Sequence, residues 1–132
     1  MRTIRLLICV GYWGLLTVLL LAPNPTAVVG LRRFPTFPWG DIGIHFTAFT
    51  ILTLLVHGSR WPKGIGWPVL AVLLAYGVTT ESLQWFVPPR DVELLDYTEN
   101  ILGVAAGTGI YWLAHRPIQR RAGLTPVAEL ES

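Results

Sequence analysis

The chain has 132 residues, 52% hydrophobic and 14% charged, with ten Lys+Arg, eight Asp+Glu and a formal net charge of +2. An ordinary soluble domain carries about 25% charged residues, so this composition excludes a disordered or collagen-like chain and argues against a soluble enzyme domain. The single cysteine, Cys9, makes neither an intrachain disulfide nor a metal-ligand pattern, and so small a positive balance points away from nucleic acid.

Four apolar stretches are predicted as membrane-spanning helices, each near the roughly 20 residues that a bilayer requires. The first, 6–22, is free of charge and follows Arg2 and Arg5. Pro23, Pro25 and the lack of a small-x-small cleavage site favour a retained helix over a signal peptide. The second, 41–57, carries Asp41 and His45 near its start and ends at His57-Gly58-Ser59-Arg60. The third, 65–86, is apolar until Thr79-Thr80-Glu81 and is broken by Pro88-Pro89. The fourth, 97–114, is followed by His115, Arg116 and Pro117. The expected fold is all-α: residues 1–115 form one four-helix transmembrane bundle, and 116–132 form a short polar cytoplasmic tail.

Basic residues set the orientation. With the N-terminus inside, Arg2, Arg5, Arg60, Lys63, Arg116, Arg120 and Arg121 lie on one side, against Arg32, Arg33 and Arg90 on the other. That bias places both termini in the cytoplasm. Trp39, Trp61, Trp67, Trp85 and Trp112 fall near predicted helix ends, as in an interfacial aromatic belt.

This topology brings Asp41, His45, Glu81, Gln84, Arg90, Asp96 and Asn100 to one membrane level at the outer face. Helical spacing puts Asp41, His45, Phe49 and Leu52 on one stripe, Gly77, Glu81 and Gln84 on another, and Asp96, Asn100, Gly103 and Gly107 on a third. Ionisable groups at such depth usually face the bundle interior and mark function. Each also has a structural reading. Asp41 suits an N-cap, and Asp96 with Glu99 resembles a capping box. His45 suits a general base, a ligand or a hydrogen-bonded structural group. Glu81 would be costly unpaired; Arg90 is the expected partner, and a structural ion pair is the alternative to a site. Gln84 and Asn100 suit bridging of carboxylates and backbone. Gly77, Gly103 and Gly107 suit close helix packing. His57 and His115 read as boundary residues at the inner interface.

No nucleophile stands beside a base, and no glycine-rich phosphate loop is present. Neither a metal nor another cofactor is expected, because the acidic and histidine spacing matches no tight ligand pattern. A cation held by Asp41, His45, Glu81 and Asp96 is the less favoured alternative.

At these residues the chain resembles the VanZ-like family of small bacterial membrane proteins, named for a teicoplanin-resistance protein. The matching pieces are Asp41-x-x-x-His45-Phe46-x-x-Phe49 and Glu81-x-x-Gln84, then Arg90, Asp96, Asn100, Gly103 and Gly107 at the family's spacing. The resemblance runs from about residue 10 to 114. Ile42 departs from it, since family members often carry Lys there. The resemblance implies a multi-pass protein of the bacterial inner membrane, with a link to glycopeptide susceptibility through the founding member.

The leading expectation is a non-enzymatic envelope protein. Its outer cluster would bind a membrane lipid, a lipid-linked envelope precursor or a membrane-protein partner, and not nucleic acid. An alternative is an enzyme acting on a lipid-linked envelope intermediate, with Glu81 or His45 as acid/base and Arg90 as charge stabiliser. The other is an accessory subunit of a larger membrane complex.

Overall fold

The computed structural model describes residues 2–30, 43–59, 66–88 and 93–122. These residues are all-helical apart from turns, with α1 Arg2–Leu21, α2 Pro25–Val28, α3 Ile44–Ser59, α4 Trp67–Gln84 and α5 Leu94–Ala122. Asp41 and Arg90 lie outside the described residues, as do Trp39 and Trp61.

Local sequence accounts for most boundaries. α1 is 20 residues of nearly unbroken apolar sequence, about 30 Å long. Pro23 stops it. Asn24 then starts the short α2, its Oδ1 accepting from the Ala27 N–H at 3.2 Å and the Thr26 hydroxyl at 2.7 Å, with Pro25 in the first turn. α3 begins at Ile44 rather than at 41, because Gly43 sits at φ 97° and turns the chain into the helix. α4 begins behind Gly66 with Pro68 in its first turn, and ends at Gln84. α5 starts at Leu94 and runs through Pro117 to Ala122, past the expected span end at 114.

Contacts between helices give their directions. Along α3, Phe46, Thr50, Thr53 and His57 meet Glu99, Gly103, Gly107 and Thr108 of α5 in ascending order, so α3 and α5 run parallel. α4 runs against both: its Gly77 lies beside Phe49 and Asn100, while Glu81, one turn on, approaches His45. α1 runs against α3, with Cys9 hydrogen-bonded to Ser59 and Tyr12 donating to the Ala48 carbonyl at 3.1 Å. It reaches α4 through Thr17, whose hydroxyl lies 2.8 Å from that of Tyr76, and through an edge-on Trp13–Tyr76 contact at 5.2 Å. Direction therefore alternates α1, α3, α4, α5.

Among the described residues, many polar side chains are buried beside the apolar core, and many large aliphatic ones are exposed. The buried set includes Thr53, His57, Ser59, Thr80, Glu81, Gln84, Glu99 and Asn100 beside Phe49, Leu52, Val56, Leu73 and Val104. The exposed set includes Ile4, Leu7, Ile8, Val10, Val18, Val72, Ile101, Leu113 and Trp112. An apolar surrounding would tolerate such an aliphatic surface and favour inward-facing hydrogen-bonding groups. Helix hydroxyls also return to backbone carbonyls one turn back, as Thr53 does to Phe49 (2.7 Å) and Ser82 to Val78 (2.7 Å). Among the described residues, α1 is long and apolar enough to cross a membrane by length and composition, and α3 is apolar but shorter. Trp67 and Trp85 stand exposed at the two ends of α4.

Glu99 holds the start of α3 from another helix. Its Oε1 accepts from the Gly43 N–H at 2.8 Å and its Oε2 from the Phe46 N–H at 3.3 Å. It is spent on α3, not on a capping box with Asp96: α5 already begins at Leu94, and Asp96 lies inside its first turn. The carboxylate satisfies orphan donors at the positive end of a helix dipole. Glu99→Ala is expected to lower stability by about 1–2 kcal/mol, with Glu99→Gln intermediate, in thermal unfolding in detergent.

Candidate functional site

The cluster is assembled from three helices at the end where α3 and α5 begin and α4 finishes. α3 supplies His45 from its first turn, α4 supplies Glu81 and Gln84 from its last, and α5 supplies Asp96 and Asn100. Helical spacing does this locally. Glu81 and Gln84 are three apart and share a face, as do Asp96 and Asn100, four apart. Gly77 lets α4 approach closely: a Cβ there would lie 3.1 Å from the Phe49 ring and 3.2 Å from Asn100 Cβ.

The back of the cluster is buried and hydrogen-bonded. Glu81 is fully buried. Its Oε2 accepts from Gln84 Nε2 at 3.2 Å, and Asn100 Nδ2 donates to the Gly77 carbonyl at 3.4 Å. The front is more open, with the His45 side chain 13% exposed and that of Asp96 24%. His45 stands between the two carboxylates, its Nδ1 3.8 Å from Glu81 Oε2 and its Nε2 3.8 Å from Asp96 Oδ2.

Asn100 sets the tautomer of this imidazole. Its amide nitrogen is turned to Gly77, so its Oδ1 faces His45 Nδ1 at 3.2 Å and accepts the ring proton. In neutral His45, Nε2 then carries the lone pair and presents it toward Asp96. One donor atom from each of His45, Glu81 and Asp96 lies within 4.8 Å of the others, a grouping able to hold a metal ion. The arrangement can accept or deliver a proton at Nε2, pair with a cation, or hydrogen-bond a polar headgroup.

Five residues singled out in the sequence thus come together: His45, Glu81, Gln84, Asp96 and Asn100. The sixth and seventh, Asp41 and Arg90, fall outside the described residues. Gly103 and Gly107 lie below the cluster against α3. A Cβ on Gly103 would stand 2.6 Å from the Phe46 carbonyl oxygen, and one on Gly107 2.8 Å from that of Thr50. Sequence reasoning missed Glu99 as the support for the α3 turn from which His45 projects. The available signal was its position on the same helical face as Asp96 and Gly103.

The opposite end differs from the reading of His57 as a boundary residue. His57 is buried, with Nε2 3.2 Å from the Thr108 hydroxyl and its ring stacked on Tyr111 at 5.1 Å. Tyr111 in turn stacks on His115 at 3.9 Å. Thr108 and Tyr111 continue the α5 face that carries Gly107, which is why the imidazole turns inward.

Comparison with curated proteins and with solved structures gave no match. The convergence of residues 45, 81, 84, 96 and 100 over a Gly103/Gly107 packing seam is thus read from this chain alone. The segment that builds it, from α1 to the end of the apolar part of α5, coincides with a family model: VanZ/LLP1 matches residues 9–115, most of the chain, and the protein belongs to that family.

Proposed function

We propose that this protein is a multi-pass protein of the bacterial inner membrane that binds the polar part of a lipid or lipid-linked envelope precursor at its outer-face cluster. In this reading α1, α3, α4 and α5 all cross the bilayer with both termini cytoplasmic. Support comes from the exposed aliphatic surface, the alternating helix directions and the excess of basic residues assigned to the inner side. α3 and α4 have 16 and 18 residues, which snorkelling end groups and local thinning accommodate.

One observation carries the ligand reading. Three helices deliver His45, Glu81, Asp96 and Asn100 to one point, with its buried side hydrogen-bonded and its His45–Asp96 side accessible. Groups of this kind are expensive in an apolar surrounding and mark function there. Mass spectrometry of lipid extracted with the purified chain tests it. Glu81→Gln and Arg90→Ala are expected to lose the lipid that the wild type retains; the same bound lipid in all three would sink the reading.

The second reading is an enzyme acting on a lipid-linked envelope intermediate. It draws on the orientation of His45 by Asn100, which leaves a basic Nε2 available for proton transfer. Incubation of the purified chain with such an intermediate would then give a product that His45→Gln does not form. An unchanged lipid with wild-type protein leaves the binding role alone.

A further inference from the structure

We propose that His45, Glu81 and Asp96 bind one divalent metal cation of the Mn²⁺ or Zn²⁺ class. The proposal takes the cluster to be a ligand site, as above, and adds what the ligand must meet there. The three side chains come from three separate helices, so their proximity is made by tertiary packing and is not a by-product of one helix's spacing. Their donor atoms already lie within 4.8 Å of one another. Ligand bonds of about 2.0–2.2 Å need donors about 3.0–3.4 Å apart. Contraction of the widest separation by about 1.4–1.8 Å therefore closes the shell, and the partly exposed His45 and Asp96 side chains can move to supply it.

The hydrogen-bond pattern selects a cation. Asn100 takes the Nδ1 proton and leaves the Nε2 lone pair facing the Asp96 carboxylate at 3.8 Å. With His45 neutral, two acceptors face each other there, and a cation between them makes the contact attractive. Metal-bound histidines characteristically donate their other ring N–H to a carbonyl oxygen, the arrangement that Asn100 provides. The two carboxylates supply the hard oxygen donors that such an ion takes beside an imidazole nitrogen.

The donor set narrows the metal. An imidazole nitrogen suits Zn²⁺ and related ions, while carboxylate oxygens suit Mn²⁺ and Mg²⁺; one nitrogen with two carboxylates lies between. Three protein ligands leave positions open, as in metal sites that bind an exogenous group. An anionic headgroup oxygen could fill one, which reconciles an acidic cluster with an anionic lipid: the ion would bridge them.

The test uses the full chain purified in detergent, stripped with a chelator and titrated with Mn²⁺. Electron paramagnetic resonance counts free Mn²⁺, and spin-echo modulation detects a directly bound histidine nitrogen. One Mn²⁺ per chain is expected, with nitrogen modulation that changes on ¹⁵N-histidine labelling, and with displacement by Zn²⁺. Asp96→Asn and His45→Gln should each weaken binding by about tenfold or more, and His45→Gln should abolish the modulation. The labelling readout needs no variant, so it stands even if a substitution unfolds the chain. Absence of nitrogen modulation in the wild type, or wild-type Mn²⁺ affinity in a folded Asp96→Asn chain, would overturn the proposal. The readout contains no lipid: a metal failure leaves the lipid experiment standing, and loss of lipid binding leaves the metal result intact.

Discussion

Replacing Gly107 by valine is expected to uncouple α5 from α3 and to leave little folded protein. A Cβ at this position would lie 2.7 Å from Thr53 Cβ and 2.8 Å from the Thr50 carbonyl oxygen. The second neighbour is backbone, so relief requires moving α3 as a body. Gly103 is in the same position one turn earlier, its Cβ 2.6 Å from the Phe46 carbonyl oxygen and 2.9 Å from Phe49 Cβ. Overpacking of a close seam costs about 1–3 kcal/mol and more where backbone must shift; valine adds two further methyls to a contact that alanine already violates. A fall in detergent melting temperature of on the order of 10 °C is expected for Gly107→Ala, and failure to accumulate for Gly107→Val. Gly109 supplies the comparison. Nothing lies within 4 Å of a Cβ there, so Gly109→Ala should be neutral or stabilising by up to about 1 kcal/mol through helix propensity. Equal effects at 107 and 109 would refute the packing seam.

Asn100→Leu is expected to damage both the fold and the site. Asn100 is buried, donates to the Gly77 carbonyl and accepts from His45 Nδ1. Leucine fills a similar volume but offers neither group, so His45 loses the partner that sets its tautomer while remaining beside two carboxylates. The Gly77 carbonyl keeps the Thr80 hydroxyl, so His45 Nδ1–H is the stranded group, and a destabilisation of about 1–3 kcal/mol is expected. The more informative comparison is Asn100→Asp, which keeps an acceptor for Nδ1 but loses the bond to Gly77. It adds a third buried carboxylate and so should be no more stable than the leucine variant, but histidine NMR should show the His45 Nδ1–H preserved. An Asn100→Leu chain as stable as wild type, with an unchanged His45 tautomer, would show that the amide is incidental.

Much of the architecture was legible without coordinates, because it depends on one-dimensional properties. Unbroken apolar runs specify helices, and prolines and glycines punctuate them. Pro23 closes α1, Pro68 opens α4, and the 77/81/84 and 96/100/103/107 spacings are direct consequences of 3.6 residues per turn. The composition of the cluster followed as well, since polar residues inside apolar helices have few stable places to go other than toward each other. Less legible were the ends. The span predicted from 41 begins as a helix at Ile44, because a positive-φ glycine was indistinguishable from any other glycine before the turn was seen. α5 continues through Pro117, where one missing N–H does not outweigh the helix on either side.

What the sequence by itself determined is therefore the family, the all-helical character and the faces of the helices on which the polar residues lie. Tertiary structure alone decided which face meets which. Glu99 looked like a local cap with Asp96 and instead holds the start of α3. His57 looked like an interfacial residue and is buried on Thr108 and Tyr111. His45 became a single imidazole between carboxylates from two other helices, its tautomer chosen by Asn100. The reason is physical. Periodicity assigns a side chain to an angle around its own axis, but a hydrogen bond between helices depends on their relative rotation and height. Those are set by how closely backbones can approach, at Gly77, Gly103 and Gly107.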